Sequence, residues 1–233
     1  MKPYIIYGKH AVSAAIKNPQ RQIETIYCPP NQVKDFQSTS KIKNIISLDK
    51  NGFKKLLPNT QAQDIAALVQ PVKLSSIPQN LSKIVILDKV TDPQNLGSIL
   101  RSAAAFGVDA VLYPKDGAVS ENGVVAKAAS GALDIVPLVE ITNISNIVKD
   151  LKKEDFWIIG TDGSATETLG NNQKLFDSKI AVIMGSEGKG LRDLVKKNCD
   201  MLVKIPIKAQ MESLNVSIAA SIIMYEMTRN TSS

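Results

Sequence analysis

Short runs of apolar side chains with helix-like stretches between them constrain this chain more than any other feature. Lys83–Leu87 reads Lys-Ile-Val-Ile-Leu, and Ala110–Tyr113, Phe156–Gly160, Ile180–Met184 and Leu202–Ile205 are of the same kind. These runs lack the alternation of a strand with one wet face, so both faces must be covered. Between them lie segments with helical spacing: Leu96–Phe106, with Ile99, Leu100, Ala103 and Phe106 on one side, then Gly123–Ser130, Ile144–Lys152, Leu191–Lys197 and Val216–Arg229. A further strand is read at Ile135–Val139, and residues 162–179 as a polar loop. Strands alternating with helices in this way predict an α/β fold on a mostly parallel sheet with helices on both faces.

The first third has shorter elements. Strands are expected at Tyr4–Tyr7, Ile23–Tyr27, Asn44–Leu48 and Ile65–Val69, with helices at His10–Lys17, Val33–Ser38 and Lys50–Leu57. Residues 71–80 hold two prolines, Pro71 and Pro78, and have no period, so they read as a linker. The expected division is a small unit over 1–70, a linker over 71–80 and a larger unit over 81–233.

Charge follows this division. Residues 1–73 carry eleven Lys or Arg against four acids (Glu24, Asp35, Asp49, Asp64), a net of +7. The whole chain is +6, so the remainder comes to −1. A basic first third beside a near-neutral remainder suggests an arm that holds a polyanion beside a part that does something else. A merely solvated lysine-rich surface would look the same on charge alone.

Several function classes drop out. No apolar run approaches the roughly 18 residues of a membrane span, and the first residues lack the apolar core of a signal peptide. The two cysteines, Cys28 and Cys199, lie far apart, which fits a cytoplasmic protein without zinc or disulfides. The single histidine is His10, so His-based triads and metal sites are not expected. The loop Gly185-Ser186-Glu187-Gly188-Lys189-Gly190 resembles a phosphate loop and fails its pattern, with Ile183 where a glycine belongs and Gly190 where Ser or Thr does. A nicotinamide-type fold is disfavoured because Lys83–Leu87 runs into Asp88-Lys89-Val90-Thr91-Asp92-Pro93, which has no glycine-rich turn.

Three polar strand-to-helix loops remain. One is Asp88 to Gly97, before a helix carrying Arg101, and the second is the Gly185–Gly190 loop with Glu187 among glycines. The third, Ser213-Leu214-Asn215-Val216-Ser217, opens a last helix that is apolar almost all round, and Ser213, Ser217 and Ser221 recur there at spacing four. Each has a structural reading: Asn95 or Asn215 as a helix cap, Arg101 on the surface, Glu187 favouring a helix N-terminus. Ligands of parallel sheets bind at the carboxyl ends of strands, where all three loops would gather.

Together the three loops resemble the motifs of the SpoU/TrmH-type (SPOUT class) RNA ribose 2′-O-methyltransferases, in order and approximate spacing: Asp92-Pro93-Gln94-Asn95-Leu96-Gly97 with Arg101, then Gly185–Gly190, then Ser213–Ser217. Ile6-Tyr7-Gly8-Lys9-His10-Ala11-Val12 is similar to the start of the substrate-binding domain in the branch acting on guanosine of 23S ribosomal RNA. The resemblance implies a deep trefoil knot in the catalytic unit, S-adenosylmethionine as methyl donor, no metal, and a homodimer formed around the knot. It implies donor binding near Gly160, Thr161, Gly185, Ile205 and Leu214, with Ser213 and Asn215 close by. Catalytic roles would fall to Arg101, oriented by Asn95 and Glu187, and to Ser213 and Asn215, which with Ser217 would shape the donor and ribose pocket. Ribosomal RNA is the expected partner, with transfer RNA second and no membrane. A catalytically silent RNA binder on the same fold is the reading from a different class, and it need not have kept all of Asn95, Arg101, Glu187, Ser213 and Asn215.

Overall fold

The computed structural model describes residues 2–58, 60, 64–72, 74, 76–168, 178–186, 190–208, 210–211 and 213–229. In the first third, strands β1 (Tyr4–Tyr7), β2 (Ile23–Cys28), β3 (Ile42–Ser47) and β4 (Ala66–Val69) alternate with helices α1 (Lys9–Lys17), α2 (Val33–Gln37) and α3 (Lys50–Leu56). The rest contains β5 (Lys83–Leu87), α4 (Pro93–Ala105), β6 (Ala110–Pro114), α5 (Gly123–Ala129), β7 (Leu138–Ile141), α6 (Ile144–Lys153), β8 (Trp157–Thr161) and the two-residue β9 (Glu167–Thr168). It closes with β10 (Ile180–Met184), α7 (Asp193–Asn198), β11 (Met201–Lys204) and α8 (Val216–Thr228).

Two sheets result. The small one has the order β1-β4-β2-β3, with β4 antiparallel to both neighbours and β2 parallel to β3. The large one has seven strands in the order β7-β6-β5-β10-β8-β11-β9, parallel throughout. Its central strands are buried on both faces, as their unbroken apolar sequences require. Ile84, Ile86, Ala181 and Ile183 pack with Val148 and Leu151 of α6 and Val195 of α7. Val85, Leu87, Val182 and Met184 pack the other way, with residues of α4, α5 and α8 that include Ile99, Leu100, Val125, Ile223 and Met224.

Capping explains most helix starts. Asp92, Asn122, Asn143 and Asn215 each accept a backbone N–H from the first turn of α4, α5, α6 and α8. Pro93 adds a residue preset for the first helical position. Two elements begin later than the sequence pattern suggests. The strand expected at Ile135–Val139 is β7, Leu138–Ile141, because Ala132–Asp134 forms a 3-10 turn and Ile135 projects into solvent at 66% exposure. The helix expected from Leu191 starts at Asp193, because Arg192 is extended and Leu191 is buried against the sheet. Much of the expected 162–179 loop lies outside the described residues, and β9 falls at its start.

The first third is not a free arm. Ile6, Val12, Ala15 and Ile26 belong to the same continuous core as Val125, Ala129 and Leu133 of the larger unit. A buried polar cluster joins the two as well. Arg21, 1% exposed, donates through Nε to Asp134 Oδ1 at 2.7 Å and also pairs with Glu121, which takes the Tyr4 hydroxyl. Burial and the nearby carboxylates hold the Tyr4 hydroxyl far above its ordinary pKa. Within the expected linker, Val72 N–H donates to Glu121 Oε2 at 3.2 Å and Leu74 bridges to Val139.

Candidate active site

The order of the large sheet places β5, β10, β8 and β11 side by side, all parallel. Loops leaving their carboxyl ends therefore gather along one edge of the sheet. Those loops hold Asp88–Asp92, Gly185–Gly190, Asp162–Ala165 and Ile205–Asn215.

The first loop is tied to the second. Asp88 N–H donates to Met184 O at 2.7 Å, and the Asp88 carboxylate, 1% exposed, receives Arg192 Nε at 3.0 Å on Oδ2 with Nη2 2.8 Å from Oδ1. Lys89 takes the left-handed conformation at φ 62°, an uncommon choice for a side chain of this size and one that turns the chain sharply toward α4. Gly97 sits where α4 crosses α5; a Cβ there would lie 2.4 Å from Ala128 Cβ and 2.7 Å from Val125 O. Asn95, in the first turn of α4, is buried at this end of the sheet, and Arg101 is exposed six residues further along the same helix.

In the second loop the chain closes on itself. Gly190 N–H donates to Ser186 O at 3.0 Å, and Gly190 has φ +63°. A Cβ on Gly185 would fall 2.2 Å from Gly190 C, so only glycine permits this approach. Glu187, Gly188 and Lys189 lie outside the described residues. Beneath the loop, Thr161 Oγ1 donates to Ile183 O at 3.2 Å, and Gly160 leaves room for Cys199, whose Sγ would stand 2.7 Å from a Cβ there. Burial pushes the Cys199 thiol up to about 11, so thiolate chemistry at neutral pH is not available to it.

The third loop meets the first through two asparagines. Asn215 Nδ2 donates to Asn95 Oδ1 at 3.1 Å, while Asn215 Oδ1 accepts from Ser217 N–H at 2.9 Å and Ser217 Oγ at 2.6 Å. Asn215 is therefore a helix cap and a cross-link at once. Ser217 and Ser221 are also satisfied within the protein: Ser221 Oγ donates to Ser217 O at 2.7 Å and lies 2.7 Å from Ser102 Oγ on α4. Ser213 is exposed, with Leu214 half-buried beside it.

Among the described residues, the backbone groups of Gly185, Ile205 and Leu214 make no backbone hydrogen bond. Gly185 is buried as well. Unpaired main-chain groups lining one edge suit a ligand that carries its own donors and acceptors.

Two charged pairs at this edge were not legible in the sequence. Arg192 covers Asp88 from a loop 104 residues away. Asp162, at the end of β8, binds Lys196 of α7 and accepts from Ser164 N–H at 2.8 Å and Ser164 Oγ at 2.6 Å. Burial opposes the Asp162 charge, but the hydrogen bonds from Lys196 and Ser164 outweigh it and hold the carboxyl down to about 2. The only hint of either was position, since both acids immediately follow a buried strand.

The model of the SpoU rRNA Methylase family matches residues 82–225, well over half of the chain. The chain belongs to this family. A second model, for RNA 2′-O ribose methyltransferase substrate binding, matches residues 5–75. Among relatives, the 23S rRNA (guanosine-2′-O-)-methyltransferase RlmB of Pasteurella multocida is 38% identical over 96% of this chain and 97% of its own length. The protein of the same name from Ralstonia nicotianae is 35% identical over 99% of this chain and 97% of its own. The fold agrees with that of an AdoMet-bound rRNA methyltransferase from Sinorhizobium meliloti, at a TM-score of 0.87 and 19% identity over 100% of this chain and 89% of that one. The SpoU family match covers all three loops, and so takes in Asn95, Arg101, Gly185 and Asn215.

Proposed function

We propose that this chain methylates the 2′-oxygen of a guanosine ribose in 23S ribosomal RNA, with S-adenosylmethionine as donor. The observation that carries the reading is the gathering of three SpoU-type loops at the ends of four neighbouring parallel strands. The relatives that cover nearly the whole chain supply the acceptor.

S-adenosylmethionine supplies an electrophilic sulfonium methyl, so the protein's work is alignment and removal of the ribose proton. In-line placement of the acceptor oxygen about 3–3.5 Å from the reacting carbon supplies much of the rate in such reactions. The backbone of Gly185, Ile205 and Leu214 would hold the donor, with Gly160 and Thr161 beneath and Ser213 at the rim. Asn95 and Asn215 pair with each other, and so fix α4, the helix that carries Arg101, against the donor loop. Arg101 would clamp an RNA phosphate and stabilise the developing 2′-alkoxide, the ribose proton passing to the phosphate oxygen it steers. The family resemblance gives Glu187 the role of orienting Arg101.

The knot and the homodimer belong to the same proposal. Ile218, Ile222 and Tyr225 recur along one side of α8 and are 53%, 36% and 51% exposed. A second copy would cover that stripe, and could bring its own Arg101 to the neighbouring site.

Incubation with labelled donor and unmodified ribosomal and transfer RNAs tests the reading. Label is expected in 23S rRNA; label in transfer RNA alone, or in neither, refutes it. Arg101→Ala is expected to cut transfer by at least about 100-fold with donor affinity kept, and normal turnover by that variant refutes the role given to Arg101.

A further inference from the structure

The small unit contains a cleft of about 560 Å³ between α1, α2 and the start of β4, away from the edge of the large sheet. That volume falls within the range of small-ligand sites. Its floor is apolar, with Ile16 and the half-buried ring of Phe36, and Lys9 and Lys17 stand on its walls. Two carboxylates, Asp35 and Asp64, also line it.

The acids are the informative part. This unit is strongly basic and has only four acids before residue 73. The other two have structural partners: Asp49 accepts from Gly52 N–H at 2.7 Å to cap α3, and Glu24 accepts from the Gln70 side chain. Asp35 and Asp64 make no side-chain hydrogen bond or ion pair among the described residues. Carboxylates repel a phosphate backbone, so a cleft built for phosphate alone would not carry them. They do suit a ligand that presents N–H groups.

We propose that this cleft takes one unstacked guanine base of the RNA substrate, a second base site apart from the methylated ribose. Phe36 stacks on the base, as aromatic side chains do for splayed-out bases. Asp35 or Asp64 accepts the adjacent N1–H and N2–H donors of guanine, a pair that adenine, cytosine and uracil lack. Lys9 and Lys17 take the flanking phosphates. The site rests on the reading that the chain acts on RNA, and it assigns a base preference to a unit otherwise marked by its charge and its match to a substrate-binding model.

Full-length protein is titrated with four five-nucleotide single strands, identical except for G, A, C or U at the centre. The G strand is expected to bind about tenfold more tightly than the others. Asp35→Asn with Asp64→Asn should abolish that preference and leave the salt dependence. Phe36→Ala should weaken all four about 5-fold or more, and Phe36→Trp should restore binding. Equal binding of the four strands by the wild type, or a G preference that survives loss of both carboxylates, overturns the proposal. The exposed aspartates can be changed without touching the core, so a Phe36 variant that fails to fold does not remove the test. Methylation of 23S rRNA is measured in parallel: transfer without G preference refutes the cleft alone, and G preference without transfer refutes the methyltransferase reading alone.

Discussion

The Asn95–Asn215 contact gives a prediction whose size follows from the structure. Asn215→Ala removes a cap whose Oδ1 accepts from Ser217 N–H at 2.9 Å, a loss of about 1 kcal/mol. It also strands Asn95 Oδ1, the acceptor at 3.1 Å on a buried residue, at about 1–3 kcal/mol. The expected total is about 2–4 kcal/mol, a fall in Tm of about 6–12 °C for a chain of this length. Asn215→Ser keeps a capping oxygen and is too short to reach Asn95, so it should lose only the second part. Urea denaturation of Asn95→Ala, Asn215→Ala and the double variant, at one protein concentration, closes a double-mutant cycle. The double variant should be less destabilised than the sum by about 1 kcal/mol. Additivity within about 0.3 kcal/mol would refute the claim that the two loops are held together by this pair.

Three further outcomes are expected. Gly185→Ala places a Cβ 2.2 Å from Gly190 C, so the loop must shift; calorimetry should find donor affinity down by at least about tenfold, with the small unit still folded. Arg21→Ala leaves Asp134 and Glu121 buried without their cation and should cost about 3–5 kcal/mol in denaturant unfolding. Asp162 has a folded pKa of about 2, below its unfolded value of about 3.9. Its contribution is therefore complete above pH 4 and lost as pH falls through 2. Screening at this partly open site limits it to about 1 kcal/mol, and Asp162→Asn should flatten the stability profile over that window.

Much of the fold was legible because apolar strands buried on both faces leave an unmistakable pattern. Lys83–Leu87 and Ile180–Met184 stand where the sequence places them. The capping role of Asn215 was also legible, since a cap depends on neighbours two or three residues away. Contacts distant in sequence were not. Nothing local marks Arg21 as the partner of Asp134, 113 residues away, so a unit that looked like a basic arm is a packed part of one core. The sequence shows α8 as apolar almost all round but not which side faces out, which is the side of Ile218, Ile222 and Tyr225. The correction bears on experiment. Cutting away residues 1–80 would strip the cover from Val125 and Leu133 and remove the cation between Glu121 and Asp134. Substitution of surface lysines is therefore the sounder way to probe RNA affinity.

The central claim is methyl transfer to a ribose oxygen. After incubation with labelled donor, 23S rRNA digested to nucleosides and resolved by mass spectrometry tests it most directly. Wild type is expected to yield 2′-O-methylguanosine as the labelled product, at one position, and Arg101→Ala is not. Label on a base, or on the ribose of a different nucleoside, would contradict it.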